Sequence, residues 1–186
     1  MKRFGMIAAL ALALAALAAA CGGGSSNTTT AQAESASDWA TGVCGAMSTW
    51  VTSVQSAMSD VSKGNVSKDS LTTAGDDLKS ATTTFVDDIK ALGPPDTTDG
   101  QKAKDQIDSL ADELSTDADT IKSALSDAAN GTNIVGSMQT ISTTAQKMGS
   151  QAQATVNSLK QLDPKGELKS AFQNAPNCKT LSSSSK

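Results

Sequence analysis

The sequence predicts an all-α protein, an up-down-up-down four-helix bundle with room for a short C-terminal helix. Three observations lead there. Apolar residues recur at spacings of three and four in four successive stripes, each suited to one face of a helix. The stripes are divided by turn and stop signals at Gly64-Asn65, Gly93-Pro94-Pro95-Asp96, Asn130-Gly131 and Asp163-Pro164. Ala, Lys, Asp, Ser and Leu are abundant while aromatic residues make up 3% of the chain, a balance that favours helices over strands.

The first stripe runs through Trp39, Val43, Met47, Trp50, Val54, Met58 and Val61, with Asp38 placed to cap its start. The second comprises Leu71, Ala74, Leu78, Ala81, Phe85, Ile89 and Leu92, and successive prolines stop it because they cannot continue the hydrogen-bond ladder. Ala103, Ile107, Leu110, Leu114, Ala118, Ile121, Leu125 and Ala128 form the third, preceded by Thr98 and Gln101 at capping-box spacing. The fourth contains Ile134, Met138, Ile141, Ala145, Met148, Ala152, Val156, Leu159 and Leu162. Its Gly136 and Gly149 each lower helix propensity by about 1 kcal/mol relative to alanine, which predicts a bend or a split there.

Four helices joined by short turns pack as antiparallel neighbours, giving a rod on the order of 40 Å long at about 1.5 Å per residue. Residues 167 to 173 allow a further short helix, whose Leu168, Ala171 and Phe172 would cover the bundle end before Pro176 stops it. The bundle domain is thus expected over residues 37 to 178, and residues 179 to 186 as a solvated, disordered tail.

The start of the chain has a different character. Lys2 and Arg3 precede an apolar run over residues 4 to 20, short for spanning roughly 30 Å of hydrocarbon and suited to export. Small residues Ala18, Ala19 and Ala20 come before Cys21. This segment resembles the bacterial lipoprotein signal, whose lipobox ends in the cysteine that receives the lipid and becomes the mature N-terminus. The usual lipobox has leucine three residues before that cysteine, where this chain has Ala18, with Leu17 one place earlier. A plain secretory peptide cut after Ala20 and an uncleaved Ala-rich membrane helix are the alternative readings.

The resemblance implies a signal peptide over residues 1 to 20, lipid attachment at Cys21 and location on the extracytoplasmic face of the cell membrane. Two acyl chains on Cys21 would anchor far more stably than one. Residues 21 to 36 form the anchor and linker, because three glycines and the lack of large apolar side chains leave nothing to repay the entropy of ordering. Removing Lys2 and Arg3 takes the formal charge from −4 to −6 and leaves no arginine, so the basic footprint of a nucleic-acid partner is missing. The expected partners are the membrane, through the lipid, and an envelope protein or wall component.

With Cys21 reserved for lipid, Cys44 and Cys178 remain, and an up-down-up-down bundle brings them to one end. An exported domain favours their oxidation to a disulfide. No catalytic constellation is present. Without histidine there is no Ser-His triad and no His-based zinc site, and the many serines have no credible base. Asp76-Asp77, Asp87-Asp88, Asp112-Glu113, Asp117 and Asp119 read as solvated helix faces, since no calcium-loop spacing occurs. Neither a metal nor a cofactor is therefore expected.

Trp39 and Trp50 stand three helical turns apart and can share a face, either in the core or beside a groove for an apolar or carbohydrate ligand. The turn from Gly93 to Gly100 is a second possible contact surface. The layout as a whole resembles small alanine-rich helical envelope lipoproteins of actinobacteria, with a lipid-attachment cysteine, a polar tether, a cysteine in the first helix and a late cysteine. The resulting expectation is a lipid-anchored, non-enzymatic interaction or structural module. A lipoprotein binding a small solute or metal, through a groove near Trp39 and Trp50 or an acidic surface, is the alternative.

Overall fold

The computed structural model describes residues 34–64, 66–163 and 165–183. The expected signal peptide, Cys21, the linker up to residue 33, Asn65, Pro164 and residues 184–186 lie outside the described residues.

Helix α1, Ala36–Ala57, is capped by Ser35 rather than by Asp38. The Ser35 hydroxyl accepts the Asp38 N–H at 3.1 Å and donates to the Asp38 carboxylate at 2.6 Å. Asp38 therefore occupies the first turn, where its charge complements the helix dipole. The first stripe is not one helix: α1 ends at Ala57 and a separate turn, α2, spans Ser59–Ser62 before Gly64 reverses the chain at φ +85°.

Helix α3, Lys68–Ala91, begins with a reciprocal capping box in which Ser67 and Ser70 satisfy each other's backbone N–H groups. It ends at Leu92, which is extended, two residues ahead of Pro94 and Pro95, whose missing N–H groups cannot continue the ladder. Helix α4, Gly100–Ala129, lacks the expected Thr98/Gln101 box; Asp99 holds the cap position, and the Gln101 amide donates to Asp105 instead. Gly100 is dictated by close approach, since a Cβ there would lie 1.9 Å from the Pro95 carbonyl oxygen.

Helix α5, Ile134–Leu162, runs its 29 residues as one helix through Gly136 and Gly149. Two cross-links to α4 flank Gly149: Lys147 pairs with Asp117 at 2.7 Å, and Gln151 donates to Glu113 at 2.7 Å. Two short helices follow, α6 over Glu167–Asn174 and α7 over Pro176–Ser183. Pro176 opens α7 instead of ending the ordered chain, because at the first helical position its missing N–H and fixed φ cost nothing. The helix therefore extends into the stretch expected as tail.

Asp163 joins α5 to α6. Its buried carboxylate accepts the Lys165 N–H at 2.9 Å and the Leu168 N–H at 3.1 Å. Burial tends to raise this carboxyl, but the backbone N–H groups of Leu168, Lys165 and Glu167, with the Lys165 charge, outweigh that and hold it below the ordinary aspartate value. The stabilisation is complete above an unfolded pKa of about 3.9 and is lost as pH falls through the lowered folded value. Asp163→Asn should flatten this acid limb of the stability-versus-pH curve, measured by denaturant midpoints at stepped pH. An unchanged limb would remove Asp163 from the acid response.

The fold is all-α, but it is not the simple four-helix bundle expected, because seven helices are present among the described residues. The four long helices alternate in direction, because contacts run in opposite order along each pair: Gly42 lies against Leu92 and Trp50 on Thr82, Lys79 pairs with Asp119 and Lys90 with Asp112, and Lys147 meets Asp117 and Gln151 meets Glu113. However, α1 packs on α3, α3 on α4 and α4 on α5, while α1 and α5 make no close backbone approach to each other. At one pole α6 and α7 fill the space between them, α6 touching both. Leu168 and Phe172 on α6 and Leu159 on α5 join Trp39 and Val43 in the core there. Glu34 is strapped at the same pole, donating to the Pro94 carbonyl and accepting from the Asp96 N–H, in a short parallel bridge to the α3–α4 turn.

Candidate functional site

Cys44 and Cys178, the pair expected from the sequence, are joined in a disulfide with their Cα atoms 5.2 Å apart. This bond fastens α7 to α1 at the pole where Glu34 leads into the domain. Trp39 belongs to the same pole. It is fully buried, meets the Phe172 ring edge-on at 5.9 Å, and its indole N–H has no hydrogen-bond partner among the described residues. Its surroundings are core.

Trp50 faces a different environment. The register of α1 against α3 puts it beside Phe85, ring centroids 5.6 Å apart, and its indole N–H donates to the Thr82 hydroxyl at 3.1 Å. Thr82 itself donates back to the Leu78 carbonyl, so the buried hydroxyl is satisfied in both directions. Thr82 escaped the sequence reading because it is polar. Its spacing of four from Leu78 and three from Phe85 nevertheless places it on the apolar stripe.

Beyond the Trp50 ring lies a cleft of about 180 Å³. Leu78 of α3 and Ile121 of α4 make its floor, Val54 and Met58 stand on the α1 side, and Ile141 and Met148 on the α5 side. Eleven residues line it and none is charged, with Gln55 the one polar side chain. The cleft exists because α1 and α5 do not close upon each other below the level filled by α6. The same gap explains why Ala145 of the expected fourth stripe is exposed. The two tryptophans thus do not form one surface: Trp39 is structural, and Trp50 alone reaches a cavity.

A larger hollow of about 440 Å³ lies on the other side of Trp50, between α1 and α3, but it is shallow and edged by hydroxyls with Asp77 and Asp88. That rim favours water over an apolar guest. The remaining carboxylates divide unevenly. Asp76, Asp112 and Asp119 form exposed ion pairs with Lys122, Lys90 and Lys79, as expected of a solvated face. Asp117 departs from that expectation, being 4% exposed and turned toward α5, where Lys147 neutralises it.

Among the described residues, no group of three or more Asp, Glu or Cys side chains is placed to hold a metal ion, and no helix is long and apolar enough to cross a membrane. The Gly93–Gly100 turn is taken up largely by internal bonding, with Glu34 on one side and the Gly100 N–H to the Thr97 carbonyl on the other. Among the described residues, Val66, Ile134 and Val135 are the large apolar side chains left in water, at 55%, 51% and 81% exposure. All three sit at the pole opposite the disulfide, where α3 and α5 begin. No protein-family model, curated protein or solved structure matches this chain.

Proposed function

We propose that the protein is a lipid-anchored component of the cell envelope that acts as a non-enzymatic binding module, held by a lipid on Cys21. One observation carries the reading: exposed apolar residues, the adjacent Ile134 and Val135 and also Val66 at the start of α3, stand at the pole opposite the one where Glu34 is strapped. An anchor joined through the linker would hold the disulfide pole nearer the bilayer and turn the apolar pole outward. Exposed apolar residues grouped at one end mark contact with another molecule, whereas single scattered ones do not. The acidic surface and the lack of a basic patch point to a protein or wall partner rather than nucleic acid.

Proximity labelling in the native cell tests this. Wild-type protein should mark a reproducible set of envelope neighbours, and Ile134→Ser with Val135→Ser should reduce that set severalfold while leaving thermal stability nearly unchanged. Loss of labelling should also follow Cys21→Ser, and intact mass should show a diacylglyceryl group on Cys21. An identical set of neighbours for wild type and the double serine variant would overturn the assignment of the apolar pole.

A further inference from the structure

The α1–α5 cleft is chemically selective in a way the other hollows are not. In a chain where 18% of residues are charged, none of its lining residues is, so an ionised ligand would lose its hydration there without compensation. The order of its lining is also informative. Trp50, Val54 and Met58 on one wall and Ile141, Ala145 and Gly149 on the other recur every four residues, so the groove runs along both helices for about 12 Å. A cavity of roughly 150 Å³ holds a benzene ring, so the volume here suffices for a slender apolar guest.

Gly149 supplies an independent observation. It sits within α5 with ordinary helical dihedrals, and a Cβ added there would meet nothing within 4 Å. Neither a turn nor a close neighbour accounts for glycine at this place, where it weakens the helix. Gly149 lines the cleft one turn from Ala145, so neither position puts a large side chain into the gap between α1 and α5.

We propose that this cleft binds a single uncharged alkyl chain, such as the terminal part of a lipid acyl chain or a long-chain alcohol. The proposal deepens the reading of the protein as a non-enzymatic binding module by giving it a ligand class, and it rests on that reading. The chain lies along the groove between α1 and α5, with its inner end against the Trp50 ring and Met148 and its outer part under Met58. Gln55 at the rim is placed to hydrogen-bond a hydroxyl or ester group at the polar end. The methionines suit the task because their unbranched side chains adjust to a guest of variable length.

Tryptophan quenching tests the proposal, since bromine quenches an indole only near contact. The full chain carrying Cys21→Ser is used, so that no acyl group of its own competes, and 8-bromo-1-octanol is titrated. Quenching should saturate at the share of emission due to Trp50, and Trp50→Phe should abolish it because Trp39 is enclosed at the other pole. Gly149→Leu, which fills the cleft, should weaken binding at least tenfold with helix content and disulfide intact; Ala145→Phe serves the same purpose should the leucine variant fail to fold. Linear, unsaturable quenching equal in wild type and filled variants would overturn the site. Stronger saturable quenching by bromobenzene would overturn the assignment to a chain, and a dimer that Gly149→Leu converts to monomer in sedimentation would reassign the cleft to a second copy. Because the titration is carried out without the lipid, its failure leaves the anchor and outer-pole tests untouched, and theirs leave the cleft untouched.

Discussion

Replacing both Cys44 and Cys178 by serine is expected to produce the largest loss of stability of any change outside the apolar core. The bond closes 134 residues of sequence, and the chain-entropy account assigns such a loop up to roughly 5 kcal/mol through restriction of the unfolded chain. Residual structure in the reduced chain lowers that, so the expected loss is about 2–5 kcal/mol. Two signatures should appear together in denaturant unfolding. The midpoint falls, and the slope rises because the uncrosslinked chain exposes more surface when unfolded. A loss below about 1 kcal/mol with an unchanged slope would mean that α6 and α7 hold the pole by packing alone.

Phe172→Ala is the second large effect, expected at about 3–5 kcal/mol. The ring is almost fully buried, meets Trp39 edge-on, and with Leu168 carries the contact by which α6 occupies the space between α1 and α5. Truncation leaves a cavity beside an indole whose N–H already lacks a partner among the described residues. Thermal unfolding of Phe172→Ala, alone and with the cysteines replaced, measures the coupling. The double change should cost less than the two single losses added together, since both act on the attachment of one segment to α1. Strict additivity would instead show that clasp and plug work independently.

Much of the helical architecture was legible because its signals are local. The stripes found their helices to within a few residues: α3, α4 and α5 begin and end beside the Gly, Pro and Asn-Gly positions that predict them. Local capping was read less well, since Ser35 displaced Asp38 and the Thr98 box did not form. Capping depends on which of several neighbouring side chains reaches a free N–H first, and sequence spacing leaves that choice open. Asp117 illustrates the same limit at longer range. It stands one residue before the apolar Ala118, and only the approach of α5 with Lys147 makes it an inward-facing group.

The surroundings of the two tryptophans are not legible in the sequence: Trp50 borders the α1–α5 cleft, whereas Trp39 packs on Phe172. Periodicity tells which face of a helix is apolar and not which neighbour covers it. The fourth stripe has enough apolar positions to complete a ring with α1, yet α6 and α7 take that place at one pole and, among the described residues, nothing takes it farther along.

From sequence alone follow the all-α class, the four long helices and their turns, the acidic arginine-free surface once Lys2 and Arg3 are set aside, and the pairing of Cys44 with Cys178, because composition, periodicity and cysteine count are properties a chain carries before it folds. Tertiary structure alone decided that α1 and α5 stay apart, that a short C-terminal segment plugs one end of the gap, and that Trp50 borders an apolar cleft while Trp39 is sealed in the core. These depend on how well side-chain volumes fill the space between helices, a quantity set jointly by residues distant in sequence.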